Sequence, residues 1–218
     1  MIPLLSISFS HGEKLVAAGC KDSIIRIWDS QTGHLVERLR GHDGAVYSVT
    51  FTQDDKGLIS GSEDGKVKFW DLTLFLESNE RMQPLIPAAS YAPMSTLVPN
   101  LTAGTPARDG SERGAISTAT CTFSGHDGTV NSVAVSLGGQ WVISGSDDKS
   151  VLFWDARNAQ AIFSLHGHKG IIWSVDVSPT GCIFATGGRD GIVRICELYC
   201  SMSFKAVHSD YTQGNTVI

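Results

Sequence analysis

His42, Ser60 and Asp64 are the residue types of a hydrolytic triad: an acid to orient an imidazole, a base to take a proton and a hydroxyl to attack. The same types return as His126, Ser144 and Asp148, then as His168, Thr186 and Asp190. Each time 18 residues separate His from hydroxyl and 22 separate His from Asp. An enzyme needs one such constellation, so a chain that repeats it at fixed offsets uses it as scaffold. A fourth position follows each Asp by six residues: Trp70, Trp154 and Cys196. A further set is cut short, with Asp22 and Trp28 in register, Ala18 at the hydroxyl position and no His.

The expected role is a buried hydrogen-bond chain. Asp orients His, His meets the hydroxyl, and the hydroxyl receives the indole N–H, so that each buried polar group has a partner. Segments that lack a member, at Ala18 and Cys196, are expected to be softer.

The elements that position these residues follow from the same repeat. Residues 45–51 alternate and are rich in β-branched and aromatic types, which predicts a strand. Asp54-Asp55-Lys56-Gly57 predicts a turn, 58–62 a second strand, Glu63-Asp64-Gly65 a tight turn and 66–70 a third strand. The pattern recurs at 130–135, 141–146 and 150–154, and again at 172–177, 183–187 and 192–196. Fourth strands are expected at 34–39, 161–165 and 203–207. Four short strands in a repeat of 42 residues predict an all-β chain built as blades of a β-propeller.

The blades are expected at 1–40, at 41–76 with its fourth strand at 118–124, at 125–166 and at 167–208. A polar tail is expected at 209–218. Residues 77–117 hold five of the seven prolines and no Trp or alternating run, and are expected to form a flexible insertion rich in Pro, Ser, Thr and Ala. Its Ser and Thr residues are candidate phosphorylation sites.

Gly41-His42 to Trp70-Asp71 and Gly125-His126 to Trp154-Asp155 resemble WD repeats. The runs Gly33-His34-Leu35-Val36-Glu37-Arg38-Leu39 and Ser144-Gly145-Ser146-Asp147-Asp148-Lys149-Ser150-Val151-Leu152-Phe153-Trp154-Asp155, with an insertion ahead of the last two blades, are similar to the C-terminal propeller of fungal Tup/Groucho-type general transcriptional corepressors. That resemblance implies a seven-bladed propeller, of which about four blades are present. It also implies an upper surface that holds DNA-bound repressors, a nuclear location with the cytoplasm as second compartment, and a family partner with TPR repeats. The helical tetramerisation segment and the first three blades of that family have no counterpart in these residues. The chain is therefore expected to be a fragment, a truncated gene model or a shortened paralogue. An open arc leaves apolar blade faces bare at both ends, so self-association is expected.

Composition narrows the function classes. The chain has 218 residues, 42% apolar, and a formal net charge of −5, so no basic field draws nucleic acid directly. The five cysteines form no C-x-x-C pair and no zinc-spaced cluster, which favours a reducing compartment. There is no phosphate-binding Gly-rich loop and no apolar run of membrane-spanning length. No cofactor, metal or membrane partner is expected.

Candidate contact residues lie beside the repeating set. The position five after each His is the start of the innermost strand: Tyr47, Asn131 and Trp173. The residue before each turn Asp is Lys21, Glu63, Asp147 and Arg189. Both groups are expected on the upper rim, where propeller partners bind, and exposed aromatics there suit an interface. The leading expectation is a non-catalytic scaffold in transcriptional repression. The alternative is a WD-repeat scaffold of another kind, such as a ubiquitin-ligase substrate receptor.

Overall fold

The computed structural model describes residues 1–73, 75–76, 119–198 and 204–207. The insertion expected at 77–117 and the tail at 209–218 lie outside the described residues.

Each sheet is antiparallel, has four strands, and is threaded from the inner edge outward. The first runs β1 (Leu4–Phe9), β2 (Leu15–Cys20), β3 (Ile25–Asp29) and β4 (Leu35–Leu39). The second runs β5 (Val46–Phe51), β6 (Gly57–Ser62), β7 (Lys66–Asp71) and β8 (Cys121–Ser124), so its outer strand is supplied from beyond residue 118. The third is β9 (Val130–Val135), β10 (Trp141–Ser146), β11 (Ser150–Asp155) and β12 (Gln160–His166). The fourth is β13 (Ile172–Val177), β14 (Ile183–Gly188), β15 (Val193–Leu198) and β16 (Phe204–Val207). The inner strands β1, β5, β9 and β13 lie next to one another in that order. This is part of a WD-type β-propeller.

The turn between the second and third strands requires a left-handed residue directly after the Asp. Gly65 and Gly191 supply it at φ 73° and 75°, while Ser23 and Lys149 adopt it at 62° and 70° without glycine's freedom.

The core sits between sheets, where the faces of adjacent blades meet. Leu15, Ala17, Ile25, Ile27 and Leu39 of the first sheet pack with Val46, Val49, Phe51, Leu58 and Trp70 of the second. Ile59, Val67 and Phe123 meet Val130, Val133, Val142 and Trp154 at the next interface. Ile143, Val151 and Phe153 meet Ile172, Val175 and Phe184 at the third.

Two small devices recur at all three interfaces. Gly19, Gly61 and Gly145 leave room for a branched side chain from the following sheet. A Cβ there would stand 2.9 Å from Val46 Cγ1, 2.6 Å from Val130 Cγ1 and 2.5 Å from Ile172 Cγ2 respectively. Beside them, the hydroxyls of Ser6, Ser48 and Ser132 accept the backbone N–H of Val49, Val133 and Val175, each at 3.1 Å.

Candidate functional site

The triad-like sets assemble in the second and third sheets. His42 Nδ1 meets Asp64 Oδ2 at 2.8 Å, His42 Nε2 meets Ser60 Oγ at 2.7 Å, and the Trp70 indole N–H donates to Ser60 Oγ at 2.8 Å. His126, Asp148, Ser144 and Trp154 repeat this at 2.7, 2.7 and 2.8 Å. With the ring proton on Nδ1, every member donates or accepts once: His to Asp, hydroxyl to Nε2, indole to hydroxyl. The hydroxyl that a triad would use as nucleophile is fully buried and already occupied on both sides. It cannot reach a substrate.

The Asp ties its own turn to the segment that carries the His. Asp64 Oδ1 accepts the N–H of Lys66 and Oδ2 that of Asp43, and Asp148 and Asp190 do the same in their turns. Burial works to raise the Asp64 pKa, but the bonds from His42 and the Asp43 N–H, with the other partners, outweigh it and hold the carboxyl at about 2. Burial lowers the pKa of His126, against the opposing pull of Asp148.

In the fourth sheet His168 bonds Asp190 at 3.0 Å and Thr186 Oγ1 at 2.9 Å, with Cys196 at the Trp position. Gly125 lies against the Trp154 ring, whereas Gly167 lies against the Arg194 guanidinium, whose Nη2 donates to the Gly167 carbonyl at 2.9 Å. Arg194 stands in the register of Leu152, whose side chain also lies beside Gly125, so it lines the Gly167 backbone from its own position and the indole's bond to the hydroxyl is not replaced by it.

The first sheet departs from expectation. Asp22 forms a two-pronged ion pair with Arg26, at 2.9 and 2.6 Å, in place of a His. Trp28 is half-buried, unlike Trp70 and Trp154, and among the described residues no sheet lies against its face. Asp22 and Trp28 therefore share the register of the sets without forming one. Sequence reasoning also missed Ser150, whose hydroxyl adds to the third sheet's chain at 2.6 Å from Asp148 and 3.2 Å from His126 Nδ1.

The rim candidates occupy a shared geometry. The backbone N–H groups of Lys21, Glu63, Asp147 and Arg189 bond the carbonyls of Pro3, Ala45, Thr129 and Ile171, each two residues before the inner-strand position Leu5, Tyr47, Asn131 or Trp173. At each of those positions the pairing with the second strand skips a residue, from Leu4 to Ser6, Val46 to Ser48, Val130 to Ser132 and Ile172 to Ser174. A skipped residue is a bulge, and bulges re-aim side chains. Tyr47 and Trp173 are 39% and 56% exposed as a result.

Asn131 behaves otherwise. Its amide donates to Asp147 Oδ1 at 2.7 Å and to the Ile172 carbonyl at 2.9 Å, so both residues stitch the third sheet to the fourth. Asn131 therefore stands at the rim position expected for it with its amide engaged in these bonds. Among the described residues no group of three His, Cys, Asp or Glu side chains is placed to hold a metal ion.

This arrangement defines a WD-repeat protein. The family model for the WD domain, G-beta repeat, matches residues 3–29, 33–71, 117–155 and 159–197, and the chain belongs to that family. WD repeats imply a protein-interaction scaffold.

Among relatives, the chain is 27% identical over 206 residues to Nuclear distribution protein PAC1 of Arthroderma otae, covering 90% of this chain and 36% of that protein. It is 28% identical over 210 residues to U3 small nucleolar RNA-associated protein 15 homolog of Xenopus laevis, covering 91% and 38%. It is 24% identical over 188 residues to Protein ROOT INITIATION DEFECTIVE 3 of Arabidopsis thaliana, covering 85% and 35%. The chain thus spans little more than a third of the length of these curated relatives, and none of the three is named as a corepressor.

Proposed function

We propose that this chain is a non-catalytic scaffold that holds a protein partner on its upper rim through Tyr47 and Trp173. The supporting observation is the placement of two large aromatics on inner-strand bulges, held by backbone pairing and half open to solvent. Such residues present apolar area at low conformational cost, which suits an interface anchor. Lys21, Glu63 and Arg189 flank them with both signs of charge, so the partner segment carries apolar side chains between acidic and basic ones. Asn131 and Asp147 act as the buttress between the anchors.

The finer reading is a corepressor propeller in the nucleus that binds DNA-bound repressors, with DNA reached only through them. The runs 33–39 and 144–155 support it, and so does the net charge of −5, which disfavours direct contact with nucleic acid. Affinity purification from nuclear extract, with mass spectrometry of what wild type retains and a Tyr47→Ala/Trp173→Ala variant loses, tests both levels. Repressors in that difference set support the finer reading. Ligase or ribosome-assembly subunits there overturn it and leave the scaffold standing, while an empty difference set overturns the rim itself.

A further inference from the structure

We infer that the rim takes an extended partner segment in one direction only, with an acidic, apolar end seated at Trp173 and a basic end toward Tyr47. This rests on the assignment of those two aromatics to a partner-holding rim, and adds the chemistry of the partner.

The sign of charge reverses at equivalent positions. The residue directly after the repeating His is Asp43 in the second sheet and Asp127 in the third, but Lys169 in the fourth. The residue before the turn Asp is Glu63, then Asp147, then Arg189. Both positions thus change from acidic to basic at one place, between the third sheet and the fourth. Lys21, in the first sheet, stands outside the stretch between the two aromatics. Asp43, Glu63 and Asp127 are exposed although other sheets lie on both sides of theirs. These positions therefore face solvent by their place in the blade, and Tyr47 shows the same for the aromatic position.

Lys169 and Arg189 are exposed, and neither forms an ion pair among the described residues. Asp190, next to Arg189 in the chain, is committed to His168 at 3.0 Å and to the N–H groups of Lys169 and Ile192. Arg189 is held beside the start of β13 by its own N–H, which bonds the Ile171 carbonyl at 2.7 Å. Two free cations and a half-open indole fit a carboxylate that neighbours an apolar side chain.

The acidic stretch supplies the repulsive half of the selection. Asp43 is answered by Lys66 at 3.6 Å, whereas Glu63 and Asp127 join no ion pair among the described residues. A segment laid the other way would set like charges together at both ends. Asn131 fixes the boundary, because its amide holds Asp147 at 2.7 Å and the carbonyl of Ile172, the residue before Trp173, at 2.9 Å. The two signs are therefore presented at a set separation before any partner arrives.

Selection of a displayed library of random dodecapeptides on the full chain tests this. Wild type is expected to enrich peptides with Asp or Glu beside an apolar residue at one end and Lys or Arg beside another at the opposite end. On a Lys169→Glu/Arg189→Glu variant the acidic end is expected to vanish from the selected sequences while the basic end stays. A peptide selected on wild type is expected to bind that variant about tenfold more weakly, and Arg189→Ala about threefold more weakly, with thermal melts unchanged. If the charge-reversed variant does not fold, Lys169→Gln/Arg189→Gln takes its place, with loss of the acidic end expected. Wild-type peptides that lack an acidic end, an acidic end that survives the charge change, or no enrichment at all overturns the inference. A Tyr47→Ala/Trp173→Ala variant separates it from the rim itself. Peptides lost on that variant but without charge polarity overturn this inference alone, whereas peptides that bind it undiminished overturn both.

Discussion

Ser60 receives the indole N–H of Trp70 at 2.8 Å while its own hydroxyl faces His42 at 2.7 Å. One small side chain therefore satisfies two large ones inside a blade. Removing it leaves an indole and an imidazole unpaired in a site closed to water. Each such loss costs about 1–3 kcal/mol, so Ser60→Ala should destabilise by about 3 kcal/mol. Thr186→Ala should cost about half as much, since only His168 depends on that hydroxyl. Urea unfolding of the two variants checks the ranking, and equal losses would show that the indole bond adds nothing.

The same sets make the fold sensitive to acid. A His whose pKa falls on folding stabilises fully above its unfolded value, and that stability is lost as the pH drops. A carboxyl with lowered pKa behaves in the same direction. His126 thus begins to weaken the fold below pH 6.5, its ordinary value. Asp64 adds a second loss between 3.8 and about 2. Melting temperature against pH should be flat from 7 to 8, fall below 6.5 and fall further below 4. Asp64→Asn should shrink the lower step without abolishing it, since the carboxyls of Asp148 and Asp190 are held low as well.

The blade-to-blade notches admit no side chain. Gly61→Val and Gly145→Val put new atoms where Val130 and Ile172 already sit, and overpacking there should cost about 3 kcal/mol each. By contrast Lys149, held at φ 70° in the turn after Asp148, should gain about 0.5–1 kcal/mol on replacement by Gly. Differential scanning calorimetry reads both signs.

The blades were legible because the sequence carries strict offsets: His, hydroxyl, Asp and Trp recur at the same spacing, and β-branched runs lie between them. What the offsets could not convey is how a register position is used once neighbours arrive. Asp22 keeps its place but turns to Arg26, since no His stands opposite. Arg194 uses the register position of Leu152 to bond the Gly167 carbonyl, a use that is visible only with Gly167 beside it. The bulges that expose Tyr47 and Trp173 are properties of a strand pair, so a single strand's pattern does not reveal them. Ser6, Ser48, Ser132 and Ser174 were in register throughout, but serine is too common in strands of this chain for its recurrence to signal an interblade bond.

The scaffold and the rim make opposite demands on substitution, and one comparison separates them. Tyr47→Ala and Trp173→Ala, each removing an exposed anchor, should weaken partner binding by about 30-fold or more apiece, as interface anchors do, and shift the melting temperature by no more than about 2 °C. Calorimetric titration of the purified partner, run beside thermal melts of the same samples, measures both. Loss of binding with an intact melt is the predicted result. Retained binding, or a melt that collapses along with it, would contradict the assignment of these aromatics to a partner-holding rim.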